Sequence, residues 1–561
     1  MTQAVAGETR LRSPDVVMRL DRMGSFFPTR LSFMRSFMRY LASELAQVSR
    51  PVWQMNAQGF GRAVYSVRLA KQDYSLVAFS NALKDEDRSD RVIASAWDTA
   101  FVLFDGVPDV DDLDRLQKNA PHQEAGRFTG SELTLSRANK STRFFEHVVD
   151  RLSRGEQPDA ALLTKTGYLM RTTAVYGNGK FGIADRRKIM HRTPFKGPYQ
   201  AEMLTVWLIR EFSMDLADHV ASARDPANAV CLHSDVRRQL GVGNATGLGM
   251  APFLVNHPVL LNNWVRAYET ALNRVRAIKR CPDKVAQTIL LLIRRAKAHL
   301  QQWSVDDEIQ TARIITLRRE LAEISDIVTP TRLAGPFPFA ELLDTAGAYS
   351  LECQELLAAL VLEPHGPLID DLTDEMASET EDVFDPSMTV SAVRRLIDSN
   401  YDWALQIDFT RQRATEMFWY TSAAKLEPRV GNRFTEPGAE WEMPLDIAFR
   451  VRALVRDLAG ADAKMTVARF LAGKPAHRYV IQRIQINAAH PYSEIRDNLI
   501  DGGCRPIDML RFKLAFFGAS KFDPKSDLWT RINMFQGAPL RGDIAAGDVD
   551  DWWLPVLEGA V

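Results

Sequence analysis

The stretch Arg62-Ala-Val-Tyr-Ser-Val-Arg-Leu69, followed after Ala70-Lys-Gln-Asp73 by Tyr74-Ser-Leu-Val-Ala-Phe-Ser80, governs how the rest of the chain is read. Both runs are rich in β-branched and aromatic residues, and the short polar link between them marks a β-hairpin. A lone hairpin is marginal in water, so further strands or a helix must cover it. The distant segment Arg478-Tyr-Val-Ile-Gln-Arg-Ile-Gln-Ile486 has the β-branched content to join it, which would bring both ends of the chain into one sheet. The apolar run 91–104 follows the hairpin, and its pattern does not separate helix from strand.

On either side of the hairpin the helical period dominates. Leu31, Met34, Phe37, Met38, Leu41, Leu45 and Val48 recur at three and four, which predicts a helix over 29–48 closed by Pro51. Similar patterns predict helices over 141–154, 159–174, 199–223, 260–280, 284–303, 305–328, 339–362 and 390–426. Pro330, Pro336 and Pro338 break the chain over 329–338. The expected fold is mainly α with a small antiparallel β component (α+β), in several domains. These are 1–130 with the hairpin, 131–330 with two glycine-rich loops, and 331–561, mostly helical, with a candidate strand at 478–486.

At 561 residues the chain exceeds the roughly 250–300 that one hydrophobic core serves. Its 70 Lys+Arg balance 71 Asp+Glu, which gives no support to a nucleic-acid partner. No apolar run approaches the ~18 residues of a membrane span, and the first residues lack the apolar core of a signal peptide. Cys231, Cys281, Cys353 and Cys504 are isolated, which suits a reducing compartment. The expectation is a soluble cytoplasmic protein with neither a nucleic-acid nor a membrane partner. None of the ten histidines has metal-ligand spacing, so no metal site is expected; no motif names a cofactor, which stays unknown. Gly59-Phe-Gly61 lacks the third glycine and the strand lysine of a kinase loop.

Two stretches carry the functional expectation. Arg171-Thr-Thr-Ala-Val-Tyr176-Gly-Asn178-Gly-Lys180-Phe-Gly182 joins backbone freedom to an amide and two cations. The second, Gly241-Val-Gly243-Asn244-Ala-Thr246-Gly-Leu-Gly249, has the composition of a concave anion-binding backbone, though not the spacing of a dinucleotide turn. Tight turns and close packing through small residues are the competing explanation for both. If the two meet, Arg171 and Lys180 anchor a carboxylate or phosphate. Asn178, Gly243, Asn244 and Thr246 orient it, and Tyr176 or His257 transfers a proton. The expected function is an enzyme for a small anionic metabolite, working by proton abstraction with elimination or addition. A non-catalytic helical interaction protein and a nucleotide-dependent transferase are the alternatives. Arg137, Lys140 and Arg143 form a further cationic group that could share one helix face and bind an anion, although solvated surface charge is the more common explanation for such a group.

Overall fold

The computed structural model describes residues 11–23, 25–83, 97–119, 130–141, 143–172, 189–247, 257–376, 384–407, 419–421, 428–430, 447–496, 506–526, 529–549 and 552–557. The chain forms two compact units, each drawn from three stretches. One is Met1–Phe26, Gly247–Cys281 and Ala334–Phe512; the other is Phe27–Thr246, Pro282–Leu333 and Lys513–Val561. Among the described residues no helix is long and apolar enough to cross a membrane.

The second of these units is built on a sheet far larger than the sequence pattern suggests. Strands β1 (Val48–Met55), β2 (Gly61–Leu69), β3 (Gln72–Ser80), β4 (Thr99–Asp105), β5 (Glu132–Lys140), β6 (Tyr168–Thr172) and β7 (Gly241–Gly247) lie side by side in that order. The short strands β8 (Trp419–Thr421) and β9 (Pro428–Val430) pair elsewhere, in the other unit. Then β10 (Lys521–Ser526) and β11 (Trp529–Met534) complete the large sheet, with β11 beside β7. The expected small antiparallel component is therefore corrected to a nine-stranded mixed sheet, in which β6 and β7 run parallel. The hairpin itself forms, but its turn is tighter than the four-residue link. Ala70 and Lys71 alone make it, both at positive φ, matching the twist of the strands they join.

Both faces of the sheet are covered. Val64, Val77, Val102 and Phe104 pack with Leu113 and Leu116 of the helix Val110–Asn119. Against the other face runs the helix Gln200–Arg224, buried on nearly every side, which explains its lack of a polar stripe. Its Phe212 ring lies 5.5 Å from Phe101 and 6.4 Å from Tyr65. Its Asp215 accepts hydrogen bonds from Tyr65 Oη at 2.8 Å and Arg50 at 2.9 Å, so a carboxylate buried beneath the sheet is compensated.

The other unit is helical apart from β8 and β9 among the described residues. Trp264 and Tyr268 of the helix Pro258–Arg276 stack at 6.0 Å with Phe26 beside them. A second cluster joins the helices Val390–Asn400, Ile447–Ala459 and Arg478–Ala489 through Val393, Ile397, Val451, Leu454, Ile481 and Ile484. The expected strand at 478–486 is thus a helix. Its buried Val480, Ile481 and Ile484 follow the helical period, and burial of that stripe outweighs the β preference of the branched residues. The predicted helix over 159–174 stops at Thr166, where Gly167 takes the left-handed conformation and β6 begins.

Candidate functional site

The structure places the sequence-derived candidates unevenly. Tyr176, Asn178 and Lys180 lie outside the described residues. Arg171 and Gly243 are register partners in the parallel pair β6–β7, and Thr172 faces Asn244 in the next position. The stems of the two glycine-rich stretches are thus neighbours in the sheet. Gly243, Asn244 and Thr246, expected in a pliant loop, instead belong to a strand flanked on both sides, where backbone amides serve the ladder. Asn244 is buried, and its Nδ2 donates to the Thr172 carbonyl at 2.9 Å. Arg171 is buried within the sheet as well. His257 stands at the N-cap of the helix Pro258–Arg276, in the other unit.

The glycines of β7 have a structural use. A Cβ on Gly241 would sit 2.3 Å from both Asn533 Oδ1 and the Met534 carbonyl oxygen. One on Gly243 would sit 2.7 Å from the ring of Tyr168. Their bare backbones let β11 and the Tyr168 ring approach closely. That ring forms part of the wall of a cleft of about 450 Å³, the size of a small-metabolite site.

Two short helices, the β10–β11 hairpin and the turn at Asp306 build this cleft beside β6. The helix Phe144–Ser153 contributes Phe144 and His147, whose rings stack at 6.2 Å, and Arg143 stands at its N-cap. The helix Ala160–Thr166 contributes Lys165. The β10–β11 hairpin contributes Lys521, Asp523, Lys525 and Arg531, and Asp306 comes from the turn before the helix Glu308–Ile327. On β10 the charged residues alternate with buried Phe522 and Pro524, so Lys521, Asp523 and Lys525 share one face.

Among the described residues, five cationic side chains thus face two carboxylates, and both of these carboxylates are already used. Lys525 Nζ lies 2.6 Å from an oxygen of Asp306 and 2.6 Å from one of Asp523. The hydrogen bond from Lys525 holds the Asp306 carboxyl below its usual range, while burial pushes that of Asp523 up. Arg143 and Lys165 are exposed and make no ion pair or side-chain hydrogen bond among the described residues. Burial lowers the Lys521 ammonium to about 8, with the Asp523 charge opposing. The described side chains thus leave an excess of positive charge in a concavity, where such charge attracts anions.

A second cleft of about 330 Å³ in this unit is less suited. Its cations are committed, Arg238 to Asp543 at 2.7 Å and Arg295 to the Leu554 carbonyl at 3.0 Å. Among the described residues no three His, Cys, Asp or Glu side chains gather at metal-ligand distances.

Sequence reasoning reaches Arg143 but misses Lys165, Lys521, Lys525 and Arg531. The alternation Lys521-Phe-Asp-Pro-Lys525 is the available signal, a short strand with one charged face. No family model matches this chain, and neither a curated protein nor a solved structure does.

Proposed function

We propose that this protein is an enzyme for a small metabolite bearing a carboxylate or phosphate, and that the metabolite binds in the cleft lined by Arg143, Lys165, Lys521 and Arg531. The ligand class is the one the sequence suggests; the site is different. One observation carries the reading: among the described residues, a metabolite-sized cavity holds five cations and two carboxylates, both already bound to a single lysine. Exposed Arg143 and Lys165 supply attraction and orientation, Arg143 with the planar fork that matches oxyanions. The rings of Phe144, His147 and Tyr168 give an aromatic wall for the body of the ligand.

Thermal unfolding in the presence of inorganic phosphate, pyrophosphate and small phosphate esters tests this. At a ligand concentration about 100 times Kd the stabilisation is about 2.7 kcal/mol. The double substitution Arg143→Ala with Lys165→Ala removes it, yet leaves the unliganded protein within about 0.5 kcal/mol, because neither side chain holds the fold together. Absence of any anion-dependent shift, or a full shift in the double variant, overturns the assignment.

A further inference from the structure

Lys521 and Lys525 stand four residues apart on the same face of β10, and their surroundings are opposite. Lys525 Nζ is ion-paired with both Asp306 and Asp523. Lys521 has no carboxylate at ion-pair distance among the described residues, and its Nζ donates to the Thr164 carbonyl oxygen. It also borders a small void beside the cleft, lined by Leu163, Trp303 and Pro555 together with His299, Gln302 and Gln536. One carbonyl cannot replace the hydration of an ammonium, which is why its acidity rises, to a pKa of about 8. At pH 7 roughly one such amine in ten is neutral, against fewer than about one in a thousand for an ordinary lysine.

We propose that Lys521 is a nucleophile toward carbonyl compounds that carry negative charge, such as 2-keto acids or aldehydes with a phosphate group. This rests on the anion-binding reading of the same cleft. The Nζ lone pair attacks the carbonyl carbon and forms a C–N bond, while the C=O π pair moves to oxygen. A proton passes from nitrogen to that oxygen, giving a carbinolamine. With one further proton from solvent the hydroxyl leaves as water, and the nitrogen lone pair closes the C=N bond of an iminium. Counted from the ammonium form, one carbonyl compound enters, one water leaves, and the positive charge stays on nitrogen. The Thr164 carbonyl oxygen fixes the position of Nζ before attack, and the exposed Arg143 and Lys165 hold the anionic end. The iminium withdraws electrons from the adjacent carbon, so the same amine prepares a neighbouring C–H for proton abstraction.

The probe is pyridoxal 5′-phosphate, an aldehyde with a phosphate, added at limiting concentration to the full-length protein. Borohydride then reduces the iminium to a stable secondary amine, and the modified lysine is located by peptide mass spectrometry. Lys521 is expected to carry at least about tenfold more label than the average lysine, well inside the roughly hundredfold excess of its neutral fraction. Pyridoxal, without the phosphate, is expected to label it at least about tenfold more weakly, the loss that follows from removing a charge-assisted contact. The labelling rate should reach half its maximum near pH 8, where the amine is half neutral. Lys521→Arg should remove the dominant labelled peptide. Label spread evenly over the lysines, or concentrated on Lys165 or Lys525, overturns the assignment of the nucleophile. Pyridoxine 5′-phosphate, which lacks the aldehyde, separates the two claims. Thermal stabilisation by it without Lys521 labelling defeats the nucleophile alone; absence of both effects defeats the anion cleft as well.

Discussion

His299 is almost wholly removed from water, and its Nδ1 donates to the Pro555 carbonyl oxygen at 2.8 Å. Burial is the largest influence on its ring, and the charges of Lys521 and Arg295 act in the same direction, so its pKa falls to about 4. The unfolded chain binds this proton near ~6.5. Above that pH both states are neutral and the contribution to stability is fully present. As pH falls through about 6.5 the unfolded state gains a proton that the native state refuses until about 4, so stability drains away across that window. Between pH 7 and pH 5 the loss from this one group is about 2 kcal/mol. Paired chemical denaturation of the wild type and His299→Gln at both pH values isolates it. The wild type should lose about 2 kcal/mol more than the variant, and parallel losses would remove His299 from the acid response. At this scale the sequence is legible only where chemistry is local. Arg143, at the start of a helix that periodicity predicts, stands out as a cation for an anion. Lys521 and His299 owe their character to burial by residues hundreds of positions away, such as Thr164 and Pro555, which no local pattern encodes.

The seam between β7 and β11 depends on an absent side chain. Gly241 leaves room for the Met534 carbonyl and for the Gln536 amide, which would lie 2.8 Å from an added Cβ. Backbone on this scale does not yield as a flexible side chain does, so Gly241→Ala should cost about 2 kcal/mol through overpacking and displace the hairpin that carries Lys521. Gly542 is the control. It lies in the helix Arg541–Ala546, and an added Cβ there would meet nothing within 4 Å. Gly542→Ala should therefore be neutral or stabilise by up to about 1 kcal/mol. Equal effects of the two substitutions in urea unfolding would contradict the close approach. The same seam shows why elements are unevenly readable. The hairpin of β2 and β3 declares itself because branched and aromatic residues stand on both sides of a short polar link. Strand β7 reads Gly-Val-Gly-Asn-Ala-Thr-Gly, a loop by composition, and becomes a strand because β6 and β11 accept its backbone. Strand β5 carries Ser136, Arg137, Asn139 and Lys140, whose polarity conceals its place in the sheet. At Arg478–Ala489 the mismatch runs the other way, branched residues suggesting a strand where a buried stripe makes a helix.

The large sheet gains its last two strands only when a distant stretch of the chain returns to it. Strands β10 and β11 come from a stretch that begins at Lys513, far along the chain from β7. The same stretch completes the environment of Arg210, whose guanidinium is entirely buried on the helix Gln200–Arg224. It donates to the Leu240 and Arg237 carbonyls, and also to those of Ala538 at 2.9 Å and Pro539 at 3.1 Å. Burial already lowers this cation to about 10, so its charge is tolerated only while those acceptors surround it. Ending the chain after Phe512 removes the Ala538 and Pro539 acceptors, exposes the edge of β7 and deletes the wall of the cleft that carries Lys521, Lys525 and Arg531. Breaking such a buried polar set costs several kcal/mol, a large share of the roughly 5–15 kcal/mol that keeps a domain folded. The truncated chain should therefore lose the cooperative transition of this unit, bind a hydrophobic dye, and show no protection of β6 and β7 amides against hydrogen exchange. The isolated substitution Arg210→Met should behave differently: it removes the charge along with its need for acceptors, so the full-length chain should retain a cooperative transition. Retention of slow-exchanging β6 and β7 amides in the truncated chain would mean that the unit is complete without its returning strands, and that the cleft is an appendage rather than part of the core.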